Sequence, residues 1–557
     1  MSAATDRARL LIALSVFAAA LVTPRAQDAI DLQLVDRIKA EAFDRSRVME
    51  HLYQLTDVHG PRLTGSPEYE KAALWAMDQL RQYGVSNVHR EGWSFGRQWS
   101  LRQYSLELLE PSYALMTAVP LAWSAPTRGA ITGEPVSAPL QISYVMGPKK
   151  IAEALAAYRK EWAGKLRGKI VLLSPAKTHP PGVKPAFRRY TETDLAEIGN
   201  APEPAPKHNV KNLDDLKWPE NPEEISRFFS ALPPPVLEQF FDVYDKLEAE
   251  RGSFFANEGV AAVLQADDRA HDGIVFAEAA GSFLSADPLA PATFVITAEQ
   301  YDRVARAVDR KLPVRVRVML DAAVSDKDAQ AWNLVGEIPG TARPDEVVMI
   351  GAHFDSWHAG TGATDDAAGC AVMMEVMRIL KTLNLRLDRT VRIGMWAGEE
   401  QGLLGSRAYV AAHFGDSKTM KLLPEHAKLS GYFNLDNGSG KIRGVYLQGN
   451  EAVRPLLQQW LAPFKDLGVS TITIRSTSGT DHLSFDAVGL PGFQFVQDPL
   501  DYGTIAHHSD MDTYDHVAPA DLMQAAAVIA TLVYETANGP RLLPRRQAQW
   551  ATTTPSK

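Results

Sequence analysis

The chain has 557 residues, of which 45% are hydrophobic and 22% are charged, a composition typical of a folded protein and not of a largely disordered chain. This length corresponds to three or four domains, or to one large domain that carries an insertion. The formal net charge of −9 and the lack of a stretch dense in lysine and arginine argue against nucleic acid as a partner.

The first residues have the layout of a secretory signal peptide. Arg7 and Arg9 precede an apolar run over 10–22, and small and polar residues follow it. The run is shorter than the roughly 20 residues that a membrane-spanning helix needs, although an uncleaved anchor is the alternative. We expect residues 1–26 to be removed and the protein to be secreted or periplasmic, with no membrane contact afterwards.

Residues 31–83 have apolar residues at helical spacing, interrupted by a loop. Ser66 and Pro67 followed by Glu68 and Glu70 predict the start of a helix, which Gly84 ends. Short β-prone segments continue to about residue 145.

The middle of the chain changes in character. Predicted strands and short helices flank a stretch rich in proline and charge over 178–224, which is too long for a tight connection. We interpret it as an elaborated loop or lid, and partial disorder is the alternative.

After the segment "AWNLVGEIPG" (331–340) the pattern becomes regular. Buried-type apolar runs alternate with helical patterns: "EVVMIGAH", "TVRIGMWAG", "LSGYFNLD" and "LPGFQFVQD". Runs that are apolar on both faces and separated by helices predict an α/β fold, with a mostly parallel sheet covered by helices on both sides. Residues 541–557 are predicted to form a flexible tail.

Polar groups follow each of these runs, at the strand ends where ligands collect in open α/β sheets. They are His353 and Asp355, Glu399 and Glu400, Asp436, and His507 and His508. Taken singly, each motif is more typical of a hydrogen-bonded loop, a helix cap or a solvated turn. Taken together, so many acids and histidines at one edge indicate a cation that relieves their mutual repulsion.

The residue types restrict the choice of metal. Because Cys370 is the only cysteine, thiolate clusters are excluded. Imidazole and carboxylate ligands suit zinc, with cobalt or manganese as substitutes. Two histidines and three carboxylates are enough for two ions if one carboxylate bridges them, and such a pair would activate one water molecule.

The motifs together resemble the co-catalytic dizinc exopeptidases, a family that includes aminopeptidase Y, glutamate carboxypeptidase II and carboxypeptidase Q. The matching segments are "LTDVHGPRLTGSPEYEKA", "HFDSW", "GATDDAAG", "AGEEQGLLGS", "NLDNGSG", "GTDHLSF" and "HHSDMDTYDHV". The block at 480–530 is most similar to carboxypeptidase Q. The resemblance covers about 45–140 and 325–537, and it implies the zinc-exopeptidase fold.

The middle segment resembles a protease-associated domain, which in relatives borders the cleft and limits substrate size. We therefore expect a catalytic domain formed by 27–140 and 326–540, interrupted by a β-rich insertion over 141–325.

By position, the resemblance implies that Asp365 bridges two zinc ions. His353 and Asp436 complete one zinc site. Glu400 and His508 complete the other, and His508 is preferred to its neighbour because "HSDMDT" matches the family pattern.

Four further residues have expected roles. Glu399 is the general base that accepts the proton of the water and passes it to the leaving amine. Asp355 holds the ring of the ligand His353 in its tautomer. His507 is a candidate oxyanion donor or a structural residue. Asp481 is a candidate contact for a substrate amine.

Other polar residues near these motifs have structural interpretations as loop hydrogen bonds, helix caps or support for the ligands. They are His358, Asp366, His482 and Asp512.

The resulting hypothesis is a secreted dizinc exopeptidase acting on short peptides or dipeptides as an aminopeptidase, dipeptidase or carboxypeptidase. A glutaminyl cyclase-like acyltransferase, which generally uses one zinc, is an alternative on the same fold. A non-catalytic protein similar to the transferrin receptor is a third. Dimers are common in relatives, which leaves a homodimer open.

Overall fold

The structure is a computed structural model that describes residues 30–142, 146–177, 185–202, 213, 216–219, 224–327 and 330–546. The predicted signal peptide and the end of the predicted tail lie outside these residues. Among the helices of the described ranges, none has the length and apolar character needed to cross a membrane.

The described residues form helices with the following bounds. They are α1 Leu32–Asp44, α2 Val48–Tyr53, α3 Pro67–Gln82, α4 Pro148–Trp162, α5 Glu192–Asn200, α6 Ile225–Ser230, α7 Pro234–Glu258, α8 Ala298–Asp309, α9 Ala368–Thr382, α10 Leu404–His413, α11 Arg454–Leu461, α12 His482–Asp486 and α13 Pro519–Asn538.

The strands alternate with these helices along the chain. They are β1 Ser86–Ser94, β2 Gln98–Glu110, β3 Ala114–Leu115, β4 Ala118–Pro120, β5 Ile131–Gly133, β6 Pro135–Ser137, β7 Ile170–Leu172, β8 Ala262–Gln265, β9 Thr293–Ile296, β10 Arg315–Ser325, β11 Gln330–Ile338, β12 Arg343–His353, β13 Arg389–Trp396, β14 Gly415–Asp416, β15 Lys421–Leu422, β16 Leu429–Asn434, β17 Ile442–Tyr446, β18 Thr471–Thr473 and β19 Gly492–Gln497.

A mixed eight-stranded sheet forms the centre of the molecule, in the order β1-β11-β13-β12-β16-β19-β17-β18. Its four middle strands, β13, β12, β16 and β19, are parallel neighbours. The strands on either side are partly antiparallel. The four apolar runs of the sequence are these four middle strands, so their carboxyl ends share one edge of the sheet.

Two apolar cores lie on opposite faces of this sheet. Along β12, Val348 and Ile350 belong to the core that includes α1, α9 and α13, whereas Val347 and Met349 belong to the core that includes α10 and residues near α12. This alternation is what a strand buried on both faces requires. Helices on both faces therefore hold the strand ends in place.

Two smaller sheets are built from residues 98–325, which we call the insert. One has the order β3-β2-β10-β5 and the other the order β4-β9-β8-β7-β6. The strands between 98 and 137 thus pair within the insert and not with the central sheet. The division into domains at 140 and 325 stays a prediction, and the change of sheet lies between 94 and 98.

Three local predictions can be compared with the structure. Ser66 caps α3 by accepting a hydrogen bond from the Tyr69 N–H at 3.1 Å. The described part of the proline-rich stretch contains α5, whose first turn has a capping box. At the start of the predicted tail, Leu543 is buried and Arg545 donates to the carbonyl of Leu429 at 2.8 Å, so these residues pack against the central domain.

Candidate metal centre and active site

The polar residues predicted from the sequence meet at the carboxyl edge of the parallel strands. His353 is the last residue of β12, and Asp436 lies two residues beyond β16. Glu399 and Glu400 follow β13 in a turn. The fourth segment, after β19, contributes His508. The fold thus brings residues from four segments that are distant in sequence to one place.

Asp365 stands between two groups of these side chains, with one carboxylate oxygen toward each. Its Oδ1 lies 3.0 Å from Nε2 of His353, which is also 3.6 Å from Oδ1 of Asp436. Its Oδ2 lies 3.3 Å from Nε2 of His508, which is also 2.9 Å from Oε2 of Glu400. Ligand atoms around a tetrahedral zinc are about 3.3–3.5 Å apart, so both groups have spacings that suit such an ion.

Unpartnered buried oxygens support a cation at this place. Among the described residues, Oδ2 of Asp365 and Oε1 of Glu400 are buried without a hydrogen-bond partner. Burial raises the pKa of Glu400 to about 7, with the nearby charge of Asp365 adding to the rise. Burial and neighbouring carboxylates also raise the pKa of Glu399 well above its ordinary value. The donor set and its unbalanced negative charge fit divalent zinc.

The loop that carries Asp365 is held by a fully buried arginine. Arg62 donates to the carbonyls of Phe354, Leu55, Thr361 and Gly362 at 2.8–3.0 Å. Two of these carbonyls immediately precede the ligand loop, and one follows the end of β12. Arg62 therefore ties both ends of the 354–362 segment to the chain before α3.

Asp512 supports the same loop from the opposite side. Its carboxylate accepts the Thr364 N–H and hydroxyl at 2.6 and 2.7 Å, and the Asp365 N–H at 3.2 Å. These bonds fix the backbone of Asp365 and agree with the supporting role considered for Asp512.

Asp355 lies behind the site. Its carboxylate accepts the Thr64 hydroxyl at 2.8 Å and the Glu399 N–H at 3.2 Å. Nδ1 of His353 is 3.0 Å from the Asp355 carbonyl oxygen and 3.7 Å from its carboxylate. The ring of His353 is thus oriented by the backbone of Asp355, and the carboxylate positions the turn of Glu399.

Comparison with known proteins agrees with this geometry. Residues 333–533 match the model of Peptidase family M28. The chain carries a Peptidase family M28 domain.

Relatives of the whole chain are known as well. Carboxypeptidase Q of Mus musculus is 26% identical over 502 residues, which are 90% of this chain and 88% of the relative. The crystal structure of a peptidase M28 precursor from Shewanella amazonensis SB2B has a TM-score of 0.61 at 21% identity, covering 92% of this chain and 98% of that one. BSAP, a zinc aminopeptidase from Bacillus subtilis, has a TM-score of 0.52 at 18% identity, covering 88% and 94%.

These similarities confirm two predictions made from the sequence. The fold is the mixed α/β fold of M28 peptidases. The M28 domain makes the chain a zinc metallopeptidase of the exopeptidase class, so peptides are its substrates.

A cleft of about 1320 Å³ opens above the two groups of ligand atoms. The carboxyl edge of the central sheet forms its floor, including Glu399 and Asp436, and the insert forms the opposite wall, including parts of α7. His507 lies in this cleft with 39% of its side chain exposed, and its ring stacks on that of His508 at 3.8 Å.

Four further polar residues have structural interpretations from the sequence, and of these Asp512 is described above. The other three make hydrogen-bond contacts outside the two groups of ligand atoms. Asp366 accepts the N–H of Gly369, in the first turn of α9, at 2.9 Å. His358 contacts the Pro120 carbonyl at 2.6 Å. His482 lies 3.2 Å from the Thr477 carbonyl.

Asp481 is fully buried and is not among the residues that line the cleft, and its contact with a substrate amine stays a prediction.

Two residues of the site have no signal in the sequence motifs. Arg62 lies in a segment that the resemblance covers, but nothing in the segment indicates four buried carbonyl partners. Glu278 belongs to the insert, and its carboxylate contacts Nδ1 of His508 at 2.8 Å.

Proposed function

We propose that this protein is a dizinc exopeptidase that hydrolyses the terminal peptide bond of short peptides or dipeptides. The observation that carries the proposal is the placement of Asp365, whose two oxygens face two separate groups of ligand atoms. A carboxylate between two such groups is the arrangement that a pair of ions 3.5–4 Å apart needs.

In this proposal the carboxylate of Asp365 would be a ligand of two zinc ions. His353 and Asp436 would hold one ion, and Glu400 and His508 would hold the other. When bound, the ions supply Lewis-acid chemistry, which polarises the scissile carbonyl and lowers the pKa of a water molecule.

Glu399 performs the proton transfers. It lines the cleft beside the ligands, and its turn is fixed by the carboxylate of Asp355. Its carboxylate accepts a proton from the attacking water and donates it to the leaving amine. His507 is exposed to the cleft, and its ring N–H would donate to the carbonyl oxygen as negative charge develops there.

The insert forms one wall of the cleft, and this wall is an argument for short substrates. A folded protein cannot bring an internal peptide bond to a floor that is covered on one side, whereas a dipeptide or a free chain end can enter. We also propose export, because Arg7, Arg9 and the apolar run over 10–22 have the layout of a signal peptide. A homodimer stays a prediction.

The proposal is tested with the purified full chain loaded with zinc. Metal content is measured by atomic emission, and hydrolysis is measured on dipeptides and on reporters blocked at either end, with a chelated sample as control. We expect two zinc ions per chain and chelator-sensitive release of a terminal residue; the reporters then identify the terminus. One zinc per chain together with cyclisation of glutaminyl peptides would instead favour the acyltransferase, and zinc binding without turnover would favour a binding protein.

A further inference from the structure

The insert reaches into the metal centre through one carboxylate. Oε1 of Glu278 lies 2.8 Å from Nδ1 of His508, and the guanidinium of Arg269 donates to the same oxygen at 2.9 Å. Arg269 is fixed in turn by Asp267, whose two carboxylate oxygens accept its Nε and Nη2 at 2.9 and 3.1 Å. The side chain of Glu278 is therefore held on one side by other residues of the insert.

The backbone of the same segment is paired with the loop that carries His508. The Ala277 N–H donates to the His508 carbonyl at 3.0 Å, and the Asp510 N–H donates to the Val275 carbonyl at 2.9 Å. The Asp510 carboxylate accepts the Val275 N–H at 2.9 Å. These bonds form a short antiparallel pairing of 275–277 with 508–510, centred on a bridge between Phe276 and Ser509.

His508 needs such support because of its backbone conformation. Its φ is +61°, in the left-handed region that residues other than glycine adopt infrequently and at a cost in free energy. A ligand in that conformation keeps its place only when the surrounding bonds impose it. Here the bond on its carbonyl and the bond at Nδ1 of its ring both come from the insert.

We propose that Glu278 of the insert is a positioning residue for the metal centre, which holds the ring of His508 with Nε2 directed at the site shared by Asp365 and Glu400. An acceptor at Nδ1 keeps the hydrogen on that nitrogen and leaves the lone pair of Nε2 free for a metal ion. The insert then does more than limit the size of the substrate, because it completes one of the two zinc sites.

This inference rests on the proposed assignment of His508 as a ligand, and the experiment separates the two. Zinc affinity of each site is measured by competition with a coloured chelator on the full chain, for Glu278→Ala, Glu278→Gln and His508→Ala. Glu299→Gln is the matched control, since Glu299 is an insert carboxylate whose oxygen contacts only the Gly273 N–H, at 3.3 Å, among the described residues.

For Glu278→Ala we expect one of the two zinc ions to bind about 10–100-fold more weakly, the usual effect of losing such a partner, and the other to be unchanged. Glu278→Gln, which keeps the shape, should weaken the same site by a smaller factor, and it carries the test if the alanine variant does not fold. Cobalt substituted at that site should show a shifted visible spectrum in both variants.

Two results would overturn the claims separately. If His508→Ala loses one zinc while both Glu278 variants bind zinc and cobalt as the unaltered protein does, the role of Glu278 is wrong and the ligand assignment stands. If His508→Ala retains both ions, the ligand assignment itself is wrong.

Discussion

At the scale of single residues, the proposed function assigns different roles to adjacent side chains. Glu399 and Glu400 follow one strand and both line the cleft, but Glu400 contacts His508 at 2.9 Å, whereas Glu399 has no such contact among the described residues. A turn after a strand separates neighbouring side chains in this way. The base and the ligand can therefore be altered independently.

Replacing Glu399 by glutamine should abolish turnover and leave zinc bound. Loss of a general base lowers the rate by about 10²–10⁴-fold, and Glu399 is not a ligand in the proposed scheme. The measurements are kcat and zinc content, with Glu425→Gln, at a half-exposed carboxylate, as control. More than a tenth of the original rate in the variant would contradict the assignment.

Replacing Arg62 by methionine should destabilise the protein by about 4 kcal/mol, because four carbonyls, three of them in buried hydrogen bonds, lose a charged donor. The free energy of unfolding is measured by urea denaturation. Arg81→Met, at an exposed position of α3, is the control and should change stability by less than about 1 kcal/mol. An equal effect of both changes would show that the buried bonds matter little.

At the scale of elements, the four middle strands of the central sheet could be predicted, whereas the strand pairing within the insert could not. The four middle strands are continuous apolar runs, and each ends where the polar motif begins, so periodicity alone located them. Except for β2, the strands between 98 and 137 are short, and the insert strands that pair with β2 and β4 lie more than 170 residues away in sequence. No local pattern determines such pairings.

The same reason explains what sequence reasoning missed at the site. The ligand residues lie in compact motifs next to strand ends. Glu278 instead lies in "FAEAAGS", an ordinary sequence, and it reaches His508 only because 275–277 pairs with a loop more than 200 residues away. The contact of Glu278 with His508 depends on tertiary structure, which the local sequence around Glu278 does not indicate.

The contact between α13 and α1 provides a test of pH dependence. Burial, together with the charge of Asp31, raises the pKa of Glu535 to about 7. A carboxylate with a raised pKa in the folded state destabilises that state once it ionises, so its contribution to stability falls between pH about 4.5 and 7 and is constant above.

We therefore expect Glu535→Gln to be more stable than the unaltered protein at pH 8, by about 1 kcal/mol, and to show no gain at pH 4.5. Urea unfolding at both pH values measures this. Glu50→Gln, at an exposed position of α2, should show no such difference. A gain that is equal at both pH values would contradict the expectation.

At the scale of the whole molecule, the residues assigned to the proposed metal centre are far apart in sequence. They range from Glu278 in the insert to His508 near the end of the chain. The carboxylates of this centre repel one another at short range in a buried place, and bound zinc relieves that repulsion. Metal binding should therefore contribute to the stability of the entire fold.

Removal of zinc by a chelator should lower the melting temperature, and added zinc should restore it. At a free concentration of about 100 times the dissociation constant, the expected stabilisation is about 3 kcal/mol. Calorimetry measures the transition, and Asp365→Asn, which alters the bridging carboxylate, should respond much less to added zinc. An unchanged melting temperature after complete removal of zinc would contradict this expectation.

The way the insert joins the central sheet has a further consequence. The last residue of β1, Ser94, pairs with the first residue of β11, Gln330, and just beyond them Gln98 pairs with Ser325. The chain thus leaves the central sheet after β1 and returns to it at β11, at neighbouring points of one antiparallel pair, and the insert begins and ends with the antiparallel pair β2 and β10. A whole module could be grafted there from another protein, or excised and sealed with a tight hairpin turn, without re-threading the scaffold. In such a chimera the new module would have to supply a hydrogen-bond acceptor for Nδ1 of His508, in place of Glu278. Without it, the proposed metal centre would be incomplete.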